Sequence, residues 1–394
     1  MPANRVVGIS LGVSLGAAIL FCGASLNLAH AKPFMIVGND EKVWWDDDGK
    51  TILSAPGKDT ILIVDLANPE DPKIVATLPL KNSIVGPPVN VDIDPTGAIA
   101  LVADSVDVIK DGDALKQVPD NKLYVIDLKA SPPKLATTVT LGKQPSGLSI
   151  SPSGKMALVA NRGDNTISVL SINGTDVKIT DTLTFPDSVS HVVFTPDGKR
   201  ALAARSPASK LSVLDIAGDK VTYNKLDLPT GQWPYNVVVT PNGKLALLNE
   251  TGSGGSSDGN VDTTSVIDLE ANPPRVIDKV VVGDGPEGLA MSPKGDLAVA
   301  AILNGSNNKK AFYYRKNGSL SILKIDGKKV TKSQDIDVGG LPEAVLFTPD
   351  GKYILAGNYM SQDFSILKVN GSKVTDTGKR FKVPGHPASA RMGR

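Results

Sequence analysis

The strongest constraint on this chain is a segment that it repeats. Leu148 to Ile172 reads LSISPSGKMALVANRGDNTISVLSI: an alternating apolar run, a Ser-Pro-Ser-Gly-Lys turn, a second run ending at Asn161, a polar loop and a third run, Ile167 to Leu170. Runs of this length and alternation, separated by turn residues, are strands in a meander. The turn glycine recurs at Gly49, Gly97, Gly154, Gly198, Gly243, Gly295 and Gly351, at intervals of 44 to 57 residues. Proline stands two positions before six of these glycines, and Asp47 stands there before Gly49. A period of roughly 40 to 50 residues with four strands in each unit is that of a propeller blade. The expected fold is therefore all-β, a seven-bladed β-propeller of four-stranded antiparallel blades. One blade has two apolar faces and can cover neither alone, so the blades must pack on one another, and closing the ring leaves only short edges open.

Blade one is expected from Phe34, through Val43-Trp44-Trp45, the Asp48-Gly49 turn, Ile52-Leu53 and Ile61 to Val64, to Lys73 to Leu78. The last unit closes near Phe364 to Leu367 and the strand after it. Beyond it, Val383-Pro384-Gly385-His386-Pro387 repeats the Gly-x-Pro entries at Gly142 to Pro145, Gly231 to Pro234 and Gly283 to Pro286. The propeller is placed at 32–386 and a C-terminal tail at 387–394, which either returns beside Lys32 to Val37 or lies over the channel.

The first 31 residues stand apart. Arg5 precedes an apolar stretch, Val6 to Leu20, and Ala29-His30-Ala31 offers small residues where a signal peptidase cuts, which reads as a signal peptide removed before Lys32 and a periplasmic destination. The apolar run is short for a membrane span, so none is expected after cleavage. Cys22 is the single cysteine, and the mature chain has no thiol chemistry. Losing Arg5 from 42 basic and 41 acidic residues leaves equal numbers. General nucleic-acid binding is disfavoured by this balance, and a monomer is expected.

The units VDIDPTGAIALVADS, VVFTPDGKRALAARSPASKLSVLDI and VLFTPDGKYILAGNYMSQDFSILKV, with the segment quoted first, resemble the repeats of the YVTN β-propeller family, of the lactonase-like, WD40/YVTN repeat-like seven-bladed group. The likeness spans about 34 to 384. It implies the fold, and it implies a choice of functions, because the group includes binding proteins, lactone-hydrolysing enzymes, a cycloisomerase and subunits that dock electron carriers.

The Pro-x-Gly turns are nearly uniform, whereas the loops between second and third strands vary, so a binding surface is expected on that loop face. Blade two inserts Asp104 to Asn121 with five aspartates, which suggests a calcium loop without completing its spacing. Blade six inserts Ile302 to Gly318, where Phe312, Tyr313 and Tyr314 alternate with Lys309, Lys310, Arg315 and Lys316, a pattern suited to single-stranded nucleic acid or a glycan. Entrances to the first strands offer Asn90, Gly147, His191, Asn236, Glu287, Glu343 and Ser389; ends of second strands add Asp104, Asn161, Arg162, Arg205, Glu250 and Asn358. The catalytic candidates are His191, Glu287 and Glu343. The two glutamates at matching positions would share a proton or a divalent cation, calcium being the candidate, with His191 as a base. The favoured arrangement instead pairs them with Arg162 and Arg205 and leaves His191 as a hydrogen-bonded channel lining. Candidate ligand contacts are Asn90, Asn161, Arg162, Arg205, Asn236, Glu250, Asn358, Tyr313 and Tyr314. Only His191 and His386 follow the leader, so a three-histidine zinc site is excluded. The leading functional expectation is a binding protein that engages a partner protein or small ligand on the loop face. The alternative is a lactonase- or isomerase-type enzyme.

Overall fold

The computed structural model describes residues 1–2, 33–252, 254 and 256–393. The expected leader therefore lies almost wholly outside the described residues. Seven four-stranded antiparallel sheets form the blades, accompanied by one two-stranded sheet. Their first strands are Val91–Ile93, Pro145–Ile150, His191–Phe194, Pro234–Val239, Pro286–Met291, Pro342–Phe347 and Pro387–Gly393. Each of these touches its counterpart in the next blade, and the last touches the first, which closes the ring.

Residues 387–393 are thus no tail. They form the first strand of blade one and pair antiparallel with Phe34–Asn39, Met35 opposite Met392 and Val37 opposite Ala390. Thr60–Asp65 and Lys73–Leu78 complete that blade. Of the two positions left open for this segment, the pairing beside Lys32 to Val37 is the one adopted.

The Asp48-Gly49 turn is a second correction. Val43–Trp45 and Thr51–Leu53 are not blade strands; they form a separate hairpin inserted between the second and third strands of blade one. The side chains around the repeat glycine explain the difference. A β-carbon on Gly154 would meet Pro95 at 3.2 Å, and Gly198, Gly243, Gly295 and Gly351 face Pro152, Pro196, Pro241 and Pro293 in the same way. In five of the six proline-bearing turns the glycine, held at positive φ, packs against the proline of the preceding blade's turn. Gly49 faces Asn308 instead. It shares the turn conformation without belonging to the proline series, which is why Asp47 stands where the proline should be.

The apolar core divides by blade interface. Leu101, Leu123 and Val125 of blade two pack with Leu148, Val159 and Leu170 of blade three. Met35, Leu62 and Val64 close the ring against Leu346, Leu355 and Phe364 of blade seven. Every third-to-fourth strand pair carries a register shift, from Val169/Leu170 in blade three to Ile63/Val64 in blade one. Such bulges twist the outer strand and blunt an edge that would otherwise template aggregation.

Candidate functional site

A cavity of about 480 Å³ opens at the loop face of the channel. Its inner lining includes Arg162, Tyr235, Glu287 and Glu343; Trp45, Thr51, Gln117, Ser257, Asn308 and Tyr313 belong to its outer wall. The blade-one hairpin forms part of that wall and is held from three directions. Lys42 at its base is fully buried and ion-paired with Asp40 and Asp59. The Tyr359 hydroxyl lies against the carbonyls of Asp40 and Val43. At the tip, Asp47 and Asp48 form ion pairs with Lys309 and Lys310 of the blade-six loop. An apolar cluster of Val43, Ile84, Leu303, Leu341, Tyr359 and Ala388 packs beneath it.

The glutamates reach this cavity because of how their strands begin. In blades three, five, six and seven the ladder shifts register directly after the entry proline, between Pro145/Leu148, Pro234/Val237, Pro286/Leu289 and Pro342/Val345. The residue before each proline, Gln144, Trp233, Gly285 or Leu341, has a φ of 52° to 68°. Residues preceding proline ordinarily take extended conformations, so the chain holds strain at Gln144, Trp233 and Leu341, a feature that concentrates at functional sites, whereas glycine adopts such a φ freely at Gly285. The residue following the proline is then aimed inward: Tyr235, Glu287 and Glu343 line the cavity, and Ser146 reaches Gly86 on its margin. This set differs by one position from the ring expected at Gly147, Asn236 and Ser389. Side chains alternate faces along a strand, so a slip of one residue exchanges lining for packing.

Glu287 and Glu343 are both buried with their carboxyls adjoining, and Glu343 Oε2 has no other partner. Two carboxyls in that contact require a proton between them. Burial lifts Glu287 to about 7, opposed by Glu343 and by the nearby Arg162 guanidinium. Burial and the charge of Glu287 lift Glu343 well above the usual carboxylate range, so Glu343 holds the shared proton. Arg162 stands 6.0 Å from the centre of the Tyr235 ring. Tyr235 stays a neutral phenol because burial raises its pKa.

Neither pairing expected of the glutamates forms: Arg162 acts on Glu287 through its nearby charge, with Nη1 buried and unpartnered, and Arg205 is engaged elsewhere. Arg205 is buried in blade four, where it binds Asp187 and Asp227, each at 2.8 Å through one nitrogen, and donates to the Tyr223 hydroxyl at 3.0 Å. His191 is not a base beside the glutamates. Its Nδ1 accepts the Val237 N–H at 3.2 Å, and burial, with Arg391 second, depresses its pKa to about 3. It is a neutral packing residue between blades. Asn90 donates to Asn82 and to the Ala103 carbonyl, Asn161 to Thr166 and Ser168, and Asn358 to Asp363 and Ser365. Glu250 accepts from the Gly231 N–H, Thr263 and Ser265 and pairs with Lys279. The polar second-strand ends Asn161, Glu250 and Asn358 are thus engaged within their own blades, Asn90 ties the entrance of its first strand to Asn82, and Asn236 is buried in its strand. Of the expected ligand contacts, Arg162 and Tyr313 line the cavity and Tyr314 does not.

Both long insertions differ from expectation. The blade-two aspartates lie along a hairpin, Ile99–Asp111 paired with Ala114–Asp127, not on a loop that gathers them. Asp107 pairs with Lys81 and Asp111 with Lys116. Asp104 is deeply buried, and desolvation raises its pKa well above the usual carboxylate range. Among the described residues no group of three or more His, Asp or Glu side chains converges in the manner of a metal site. In the blade-six loop, Lys309 and Lys310 are occupied by Asp47 and Asp48, which removes half of the basic charge that the nucleic-acid expectation relied on.

Residues that line the cavity without having been singled out include Tyr235, Trp45, Thr51 and Gln117. Aligning the Gly-x-Pro entries on their prolines places Tyr235 with Glu287 and Glu343, and that signal was present in the sequence. Nothing local marks the hairpin residues as lining.

No family model matches the chain, and no curated protein matches it. Solved structures do. A protein named as a "putative 6-phosphogluconolactonase" of Bacteroides fragilis is 18% identical, with a TM-score of 0.69, over 93% of this chain and 99% of its own. The periplasmic gluconolactonase PpgL of Pseudomonas aeruginosa is also 18% identical, with a TM-score of 0.67, over 92% of this chain and 99% of its own. A functionally unknown protein of Desulfotomaculum acetoxidans, 14% identical, has a TM-score of 0.65 over 91% and 98%. Likeness at these identities concerns the fold, and the fold of this chain is that of the lactonase-like seven-bladed propellers.

Proposed function

We propose that the protein is a hydrolase of small lactones, with its reaction at Glu287 and Glu343. The observation that carries this reading is a proton-sharing pair of buried carboxyls inside a cavity, beside one guanidinium. A site that only binds has no need to bury two adjoining carboxyls, which costs stability, whereas hydrolysis needs a base and an acid in one place. Ionised Glu287 takes a proton from water as the water oxygen bonds to the lactone carbonyl carbon. The oxygen that becomes negative is stabilised by Arg162. When the ring C–O bond breaks, Glu343 gives its proton to the departing alkoxide, leaving a hydroxy acid. The pair still holds one proton, now exchanged between its members, and its return to the starting state needs only a shift from one carboxyl to the other.

The test is a pH-stat screen of five- and six-membered lactones. Turnover that falls at least a hundredfold in Glu287→Gln and in Arg162→Met is expected. Absence of turnover on every ring size, with folded protein, would refute the reading.

A second reading, docking of a partner protein on the loop face, is favoured by one observation: Phe312 is 93% exposed and Trp44, on the adjoining hairpin, 37%. Crosslinking before and after Phe312→Ser checks it. The Arg5 to Ala31 pattern supports export and a periplasmic location, which amino-terminal sequencing of the mature protein tests by a start at Lys32. Among the described residues no helix is long and apolar enough to cross a membrane.

A further inference from the structure

The charges around the cavity restrict what can enter it. Arg162 is the single cationic side chain among the described lining residues, and the undescribed positions between 251 and 257, Ser253 and Gly255, are uncharged residues. Lys309 and Lys310, at the mouth, are each bound to an aspartate. Two carboxyls, Glu287 and Glu343, face this one guanidinium in the lining, and no positive charge is left over for a further anion. The outer wall is instead polar and uncharged, with Thr51, Gln117, Ser256, Ser257, Asn307 and Asn308.

Two aromatic side chains stand among them in fixed positions. Tyr313 is wedged between glycines: a β-carbon on Gly305 would come within 2.6 Å of its ring, and one on Gly259 within 2.8 Å of its own β-carbon. Trp45 is held edge-on against Tyr359, ring centres 5.9 Å apart. Neutral amides and hydroxyls around rigid aromatic faces suit a ring bearing several hydroxyl groups, whose C–H faces lie against aromatics. A phosphate dianion in the same space would meet the Glu287 carboxylate without a free cation to compensate it, and burying an unpaired charge is strongly unfavourable.

We infer that the cavity accepts an uncharged, polyhydroxylated sugar lactone and rejects its phosphorylated counterpart. The inference rests on the hydrolase reading for turnover, but the binding preference stands on the cavity alone.

The experiment pairs two measurements on the mature protein at one ionic strength. Hydrolysis of glucono-1,5-lactone is compared with that of its 6-phosphate, and binding of the unreactive gluconolactam is compared with that of its 6-phosphate by calorimetry. The neutral member is expected to lead by at least a hundredfold in kcat/KM and in affinity, and Gln117→Arg, which adds a cation to the wall, to narrow both ratios at least tenfold. Equal or better use of the phosphorylated lactone overturns the inference and leaves the hydrolase standing. Binding of the neutral lactam without turnover of either lactone upholds the inference and refutes the hydrolase. Binding of neither lactam, with folded protein, overturns the inference.

Discussion

Replacing Glu287 by glutamine should make the protein more stable at pH 8 while removing its chemistry. Glu287 is buried, and its pKa rises from an ordinary 4.5 to about 7. Below pH 4.5 the carboxyl is protonated in both folded and unfolded chains and burial of its charge costs nothing. Between 4.5 and 7 the unfolded chain gives up the proton while the folded one keeps it, so stability falls as pH rises, and the whole loss is in place above pH 7. At ~1.4 kcal/mol per pH unit the penalty is about 3 kcal/mol. Glutamine has the shape of the protonated acid and never incurs it. For a domain of roughly 360 residues, whose unfolding entropy is near 2 cal/mol/K per residue, 3 kcal/mol corresponds to about 4 °C in Tm. Thermal unfolding of wild type and variant in parallel from pH 4.5 to 8.5 isolates this pair, because every titration except those of Glu287 and its neighbour Glu343 occurs alike in both. The difference in Tm should be near zero at the acid end and about 4 °C in favour of the variant at the alkaline end. A difference independent of pH, or a less stable variant at pH 8, would refute the reasoning.

Three further outcomes follow from the same geometry. Lactone hydrolysis, measured as kcat/KM, should rise with pH through about 7 as Glu287 ionises, and a profile flat from pH 5 to 9 would exclude Glu287 as the base. Lys42→Met leaves Asp40 and Asp59 facing one another without their buried cation; urea unfolding should show a loss of about 3–5 kcal/mol, and a loss under 1 kcal/mol would contradict the ion cluster. His191→Asn should keep hydrolysis near wild type at a cost of about 1 kcal/mol from the altered acceptor for Val237 N–H. A hundredfold fall in activity would return His191 to the reaction.

The blades were legible because each turn answers two local demands at once: a glycine at positive φ, and a proline that packs on the next blade's glycine. Gly49 satisfies the first demand alone. The glycine count therefore reached seven for a wrong reason, while blade one, which has no such turn, draws its first strand from residues 387–393. The glutamates were legible by their matching places after Pro286 and Pro342. Their partner was not Arg205, which turns into its own blade to meet Asp187 and Asp227; and Tyr235, not Asn236, joins them because of the bulge after the entry proline, a one-residue shift that periodicity does not register. The blade-two aspartates read as a ligand cluster only while they were taken for a loop; extended as a hairpin, they are spread along its length from Asp104 at the base to Asp111 near the tip.

The pairing of Phe34–Asn39 with Pro387–Gly393 also sets an order of events. A growing chain can stack six blades as they emerge, but the edge at Met35 to Val37 waits for a partner more than three hundred residues away in sequence. Until residues 387–393 arrive, the molecule is an open arc with apolar faces at both of its limits. Completion is thus a single late step that joins all seven interfaces into one cooperative unit, and a chain interrupted shortly before it would be a substrate for proteases and chaperones and not a slightly shortened propeller.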